Sequence, residues 1–224
     1  MQPSKSRSPL WIALILAVFC CSLGARPVRA GIILTNLPGT GTYGSTGIDL
    51  LTSTSWGAVG FQTSSAAESF TSFRGFFTSG TGGQIDGGIY SDNSGNPGSL
   101  LAAFTPVTVP ASQPAISLTV NTASPFTLQA TTNYWVVLHD PIIPYGWDRD
   151  NSTNGTTPAA SSGHTFNGYR TSINSGTAWS SSTGNWTTEI TVATTPEPST
   201  MVLACLAAAG LTVPLLRRRR NGRH

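Results

Sequence analysis

Between Gly31 and Thr195 the apolar residues come in short runs, and turn-forming residues fall between them. Ile116-Ser117-Leu118-Thr119-Val120 alternates apolar with polar, which puts every second side chain on one face of an extended strand. Similar runs occur at 31–36, 58–62, 69–78, 85–91, 100–109, 116–120, 126–129, 134–139, 146–149, 165–169 and 187–192. Gly, Pro, Asn and Ser clusters separate them, and none of the runs has a convincing helical period. Many short strands joined by frequent turns predict an all-β fold, an antiparallel β-sandwich of jelly-roll-like type. No repeat of fixed period is present. The Ser-, Thr-, Asn- and Gly-rich stretch from Asp150 to Gly163 reads as a long mobile loop.

The two ends have a different composition. Lys5 and Arg7 precede an apolar run from Leu10 to Leu23, which suits a secretory signal and is short for a spanning helix. Val28-Arg29-Ala30 resembles a peptidase site, so cleavage is expected between Ala30 and Gly31. An uncleaved anchor and lipidation at Cys20 or Cys21 are the alternatives. Pro27 after the short run argues against the first. Phe19 and Cys20, which precede the two cysteines where a small residue is usual, argue against the second.

At the other end stand Pro196-Glu197-Pro198, an uncharged apolar stretch from Met201 to Leu216, and Arg217 to Arg220. As a helix the stretch would extend about 24 Å, enough to cross a locally thinned bilayer. Four consecutive arginines stay on the cytoplasmic side, which sets the globular part outside. The prolines keep the preceding backbone extended, as a protease cleft requires, and Glu197 adds one charge to read. The plain alternative is a linker before an ordinary anchor. The order of tripeptide, apolar segment and arginine cluster resembles the PEP-CTERM sorting domain. Pro214 and the extra residues Asn221 to His224 are minor departures.

That resemblance implies recognition of Pro196, Glu197 and Pro198 by an exosortase-like membrane protease, with Arg217, Arg218, Arg219 and Arg220 as the membrane stop. Signal peptidase is the other implied partner, and the inner membrane a transient one. The implied destination is the cell surface, outer envelope or extracellular matrix of a Gram-negative-type bacterium that makes exopolysaccharide, itself a candidate partner. The expected organisation is a signal peptide over 1–30, an exported β-sandwich over 31–195 and a sorting signal with a single transmembrane helix over 196–224.

Composition now separates by segment. The whole chain carries a formal +3, but between Gly31 and Thr195 three arginines face eight carboxylates, leaving −5. The basic excess belongs to the ends, and a lysine-free acidic domain argues against nucleic acid as a partner. All three cysteines, Cys20, Cys21 and Cys205, also lie in the ends, so the domain is expected to hold together without a disulfide.

Two stretches of the domain resemble the choice-of-anchor R domain. One runs from Ala66-Ala67-Glu68-Ser69-Phe70-Thr71 to Gly88-Ile89-Tyr90-Ser91-Asp92 and on to Leu100-Leu101. The other holds Phe126-Thr127-Leu128, Tyr134-Trp135-Val136-Val137-Leu138 and Gly146-Trp147. The resemblance covers about 56–191 and implies a β-rich surface domain with no known catalytic residue.

Candidate sites are few. Trp147, with Asp148 and Arg149, could stack on and hydrogen-bond a sugar. Tyr145, Tyr169, Trp179 and Trp186 are further candidate platforms. The competing reading packs Trp135 and Trp147 in the core, with Arg149 neutralised by an adjacent Asp. Asp92, Asn93 and Asn96 form an oxygen-rich loop that could hold calcium, although the spacing is not that of an EF-hand and suits a plain turn as well. The domain has His139 and His164 and many serines, but no Gly-x-Ser-x-Gly elbow and no His-Glu-x-x-His helix. The expectation is a structural surface protein, not an enzyme, with no cofactor. A carbohydrate-binding module is the alternative. A secreted hydrolase is the remoter one, and it requires clustered carboxylates or a Ser-His pair in contact.

Overall fold

In a computed structural model, the described residues are 30–37, 48–149 and 157–194. They form strands in the order β1 (Ala30–Thr35), β2 (Ile48–Leu51), β3 (Trp56–Gln62), β4 (Glu68–Ser79), β5 (Gly83–Asp92), β6 (Pro97–Ala103), β7 (Val107–Val109) and β8 (Ser112–Val120). There follow β9 (Phe126–Leu128), β10 (Asn133–His139), β11 (Tyr145–Asp148), β12 (Ala159–Ala160), β13 (Thr165–Ser172), β14 (Ser180–Ser182) and β15 (Glu189–Thr194). All pair antiparallel in two sheets. The expected signal peptide and transmembrane helix lie outside the described residues. Among the described residues, no helix is long and apolar enough to cross a membrane.

The first sheet runs β12-β1-β15-β4-β11-β2. The long strand β4 organises it. β15 and β11 share one of its edges, and β9 and β8 share the other. The second sheet runs β14-β13-β3-β10-β5-β6, with β7 on β5. The period-2 pattern assigns the faces. Phe73 and Phe77 of β4 meet Val59 and Phe61 of β3, Ile89 of β5, and Val136 and Leu138 of β10 in the main core.

The alternate residues of the second sheet build a second, smaller apolar cluster. Ala58, Trp135 and Val137 are fully buried there, under Trp56, Tyr90 and Trp179. β10 therefore lies buried on both faces over five consecutive residues, Tyr134 to Leu138. That explains why its sequence is continuously apolar rather than alternating.

Several boundaries differ from the sequence reading. The single run over 100–109 is two strands, because Pro106 has no N–H to donate to a ladder. Between them Phe104 makes an isolated bridge to Thr122. β2, β12 and β14 were not anticipated. β12 lies within the stretch expected to be a loop and pairs with Leu34 and Thr35 of β1. Its two alanines carry no period that could mark a strand.

Candidate functional site

The sugar-stacking expectation at Trp147 is overturned by burial. β11 places Trp147 in the main core with no exposed surface, between Phe73, Phe77 and Trp186. Its indole N–H donates to the Thr187 carbonyl at 2.9 Å. A ring covered on both faces has none left for a sugar. Asp148 is equally buried. Arg149 is half-buried and paired with a residue distant in sequence: its guanidinium binds Asp49 of β2, with Nε 2.8 Å from Oδ2. Asp49 also accepts the Trp186 indole N–H. Tyr145, Tyr169 and Trp186 are buried too, so of the additional aromatic platforms Trp179 alone keeps an accessible side.

The oxygen-rich loop is a hairpin turn between β5 and β6. Asn93 N–H donates to the Asn96 carbonyl at 2.7 Å, and Asn96 N–H returns to Asn93 at 3.2 Å. The side-chain oxygens of Asp92 and Asn96 are in use. Asp92 Oδ2 accepts from Gly95 N–H at 3.1 Å, and Oδ1 accepts from the Trp135 indole at 2.8 Å. Arg170 donates from Nε to the Gly95 carbonyl and to Asn96 Oδ1, each at 3.1 Å. A fixed guanidinium at that distance repels a divalent cation. Among the described residues, no group of three or more His, Cys, Asp or Glu side chains could hold a metal ion.

This turn and the β13–β14 loop frame an open cleft of about 580 Å³. Asp92, Asn93 and Asn96 line one side, and Gly176, Thr177 and Trp179 the other. Both walls are tied down from behind. On the turn side, the Arg170 guanidinium lies over the Trp135 ring, 5.3 Å from its centroid. On the loop side, Ser172 Oγ accepts from Gly176 N–H at 2.9 Å, and Asn174 Oδ1 accepts from Ala178 N–H at 2.9 Å. Gly176 has φ +78°, and a Cβ there would lie 2.7 Å from the Trp56 ring, so the loop backbone rests directly on that indole. Trp56 in turn stacks on His139, with centroids 4.3 Å apart and planes 20° from parallel, and meets Trp179 edge-on at 6.5 Å. Trp56 was not singled out from the sequence. Its place at the start of β3, two residues before Ala58 on the same face, is the signal that could have found it.

A serine and a histidine do come into contact. Ser161 Oγ lies 3.0 Å from His164 Nδ1, and His164 Nε2 lies 2.9 Å from Glu68 Oε2. The imidazole and carboxylate side chains are only 7% and 5% exposed. A hydrolase also needs a substrate cleft at the serine and donors for an oxyanion. Ser161 and His164 instead sit at the two ends of one tight turn, closed by His164 N–H donating to the Ser161 carbonyl at 3.0 Å. Glu68 also accepts from Ser64 Oγ at 3.1 Å. The trio clasps the β12–β13 turn to the start of β4. The cleft at Trp179 is lined by other residues.

A comparison with known families bears on the segment that starts at the last residue of β15. Residues 194–220 match the family model of the PEP-CTERM protein-sorting motif. The chain carries a PEP-CTERM sorting motif. The motif marks it as an extracytoplasmic, exosortase-processed structural protein and implies association with that sorting system. PEP-CTERM marks a chain as the substrate of processing, so the reacting groups belong to the protease. No curated protein matches the chain. Because the motif match covers only 194–220, the likeness of 56–191 to the choice-of-anchor R domain rests on its own quoted motifs. Pro196, Glu197, Pro198 and Arg217 to Arg220 lie outside the described residues.

Proposed function

We propose that the β-sandwich over 31–195 is a passenger that two terminal signals deliver to the cell surface or matrix. The signal over 1–30 takes the chain across the inner membrane, and signal peptidase cuts between Ala30 and Gly31. The segment over 196–224 then halts in the bilayer as a single helix, with Arg217 to Arg220 left in the cytoplasm. An exosortase-type protease reads Pro196, Glu197 and Pro198 on the outer side and releases the domain into the envelope or exopolysaccharide matrix of a Gram-negative-type bacterium.

The observation that carries this reading is where the described strands end relative to the sorting match. The sorting match starts at Thr194, the last residue of β15, which still pairs with Glu68. A cut anywhere beyond Thr194 removes the tail and leaves every described strand intact. The amino-terminal cut takes only Ala30 from β1, with its pairing to Ala193, and leaves Gly31–Thr35 in the ladder with β15. Ala30 and Gly31 are the exposed first residues of β1, and the buried Ile33 and Leu34 follow them.

The test is to replace Pro196-Glu197-Pro198 with Ala-Ala-Ala in the producing cell and follow mass and location. The expected result is an unprocessed chain held in the inner membrane. Unchanged processing and unchanged surface delivery would refute the proposal.

A further inference from the structure

Trp179, Asn93 and Thr177 project into a cleft whose walls are already held in place. We infer that this cleft, between the β5–β6 turn and the β13–β14 loop, binds an uncharged oligosaccharide. The inference goes beyond the sorting reading and stands apart from it.

Size comes first. About 580 Å³ lies within the range of roughly 300–1,000 Å³ usual for ligand clefts, and the open form suits a segment of a longer chain. Chemistry comes second. Asn93, Asn96, Ser99 and Thr177 line the cleft with amide and hydroxyl groups, types that both donate and accept; the Thr177 O–H is spent on the Asn174 carbonyl at 2.9 Å and Asn96 Oδ1 on Arg170, which leaves the Thr177 oxygen to accept and the Asn96 amide N–H to donate. Sugar hydroxyls have the same dual character. Trp179 supplies the aromatic wall against which the apolar face of a pyranose packs.

Charge comes third. Asp92 is the one acidic side chain lining the cleft, and both of its oxygens are engaged, by the Gly95 amide and the Trp135 indole. Arg170 stands behind the same turn, bonded to Asn96 Oδ1, and offsets the charge of Asp92. The cleft therefore offers no free carboxylate to a cation and no forward guanidinium to an anion, which favours a neutral ligand.

Preorganisation comes last. The turn is fixed through Asp92 and Arg170, and the loop through Ser172, Asn174 and the contact of Gly176 with Trp56. Walls fixed before binding lose little conformational entropy when the ligand arrives.

The experiment uses the full chain, purified in a detergent without a sugar headgroup. It is applied to an array of neutral gluco-, manno-, galacto- and xylo-oligosaccharides beside uronate-bearing and sulfated glycans. At least one neutral series should bind. Trp179→Ala should weaken that binding at least tenfold, and Asn93→Ala and Thr177→Ala several-fold with unchanged thermal unfolding. Should Trp179→Ala fail to fold, the two exposed polar variants decide the matter. The inference is overturned if no neutral glycan binds, if anionic glycans are preferred, or if Asn93→Ala and Thr177→Ala bind as the parent does. Binding is read on purified protein, so its failure is separable from a failure of tail processing in cells.

Discussion

Trp147 and Trp186 stack in the main core with ring centroids 4.7 Å apart and planes 26° from parallel, both without exposed surface. They belong to segments 39 residues apart, and hydrogen bonds keep the two together. Thr187 N–H donates to the Asp148 carbonyl at 2.9 Å, and the Trp147 indole donates to the Thr187 carbonyl. The residue that looked most like a sugar platform is thus part of what holds β11 against the segment leading into β15.

Trp147→Ala should therefore destabilise the fold by about 3–5 kcal/mol, the usual cost of removing a large buried aromatic. Chemical denaturation checks this. A loss under about 1 kcal/mol would contradict the packing described. Any glycan-binding defect in this variant is expected to track loss of folded protein.

The clasp predicts unequal effects among its members. Glu68→Ala removes a buried charged acceptor from both His164 and Ser64 and should cost about 1.5–3 kcal/mol. Ser161→Ala removes one partly buried hydroxyl and should cost about 0.5–1.5 kcal/mol. Unfolding curves of the two variants make the comparison. A hydrolytic role for the trio would instead give Ser161→Ala a complete loss of some esterase signal, and no such signal is expected from the parent.

Gly87 is the position at which the second sheet tolerates least. Its φ is +141°, and an added Cβ would lie 2.0 Å from the Val137 carbonyl oxygen on β10. That neighbour is backbone within a ladder and cannot rotate away. Gly87→Ala should cost more than about 3 kcal/mol, combining a strained φ with broken pairing between β5 and β10. Soluble expression and thermal unfolding give the readout.

His139 gives the fold a pH dependence. Burial under Trp56 pushes its imidazole below the ordinary value, against an opposing pull from Asp86 and Asp140. With the folded value depressed, the unfolded chain binds the proton first as pH falls. Stability attributable to this group is thus full above about pH 6.5, the unfolded value, and declines as pH drops towards the lower folded value. His139→Gln should flatten that part of the stability–pH curve measured by denaturant titration. A parent curve that rises on acidification through this window would contradict the assignment.

Much of the architecture is legible along the chain because a strand writes its faces into alternate residues. Ile116 to Val120 and Phe73 to Phe77 show their inward sides directly. The run at Tyr134 to Leu138 shows a central strand but not its surroundings, because both faces are apolar. β2 was missed because its pattern, Ile48-Asp49-Leu50-Leu51, is too short to stand out, and with it went the partner of Arg149. The candidate cleft was half legible. The turn at Asp92 to Gly98 and Trp179 could each be noted, but not that they face each other.

The sequence alone determined the all-β class and the sorting motif, because strand periodicity and the order of tripeptide, apolar stretch and arginines are local properties of consecutive residues. Tertiary structure decided which tryptophans are core and which line a surface, and which charges meet. Those outcomes depend on pairing between residues far apart, such as Glu68 with His164 and Asp49 with Arg149. Alternation states that a side chain leaves one face of a strand. Only the neighbouring strands determine whether that face meets protein or water.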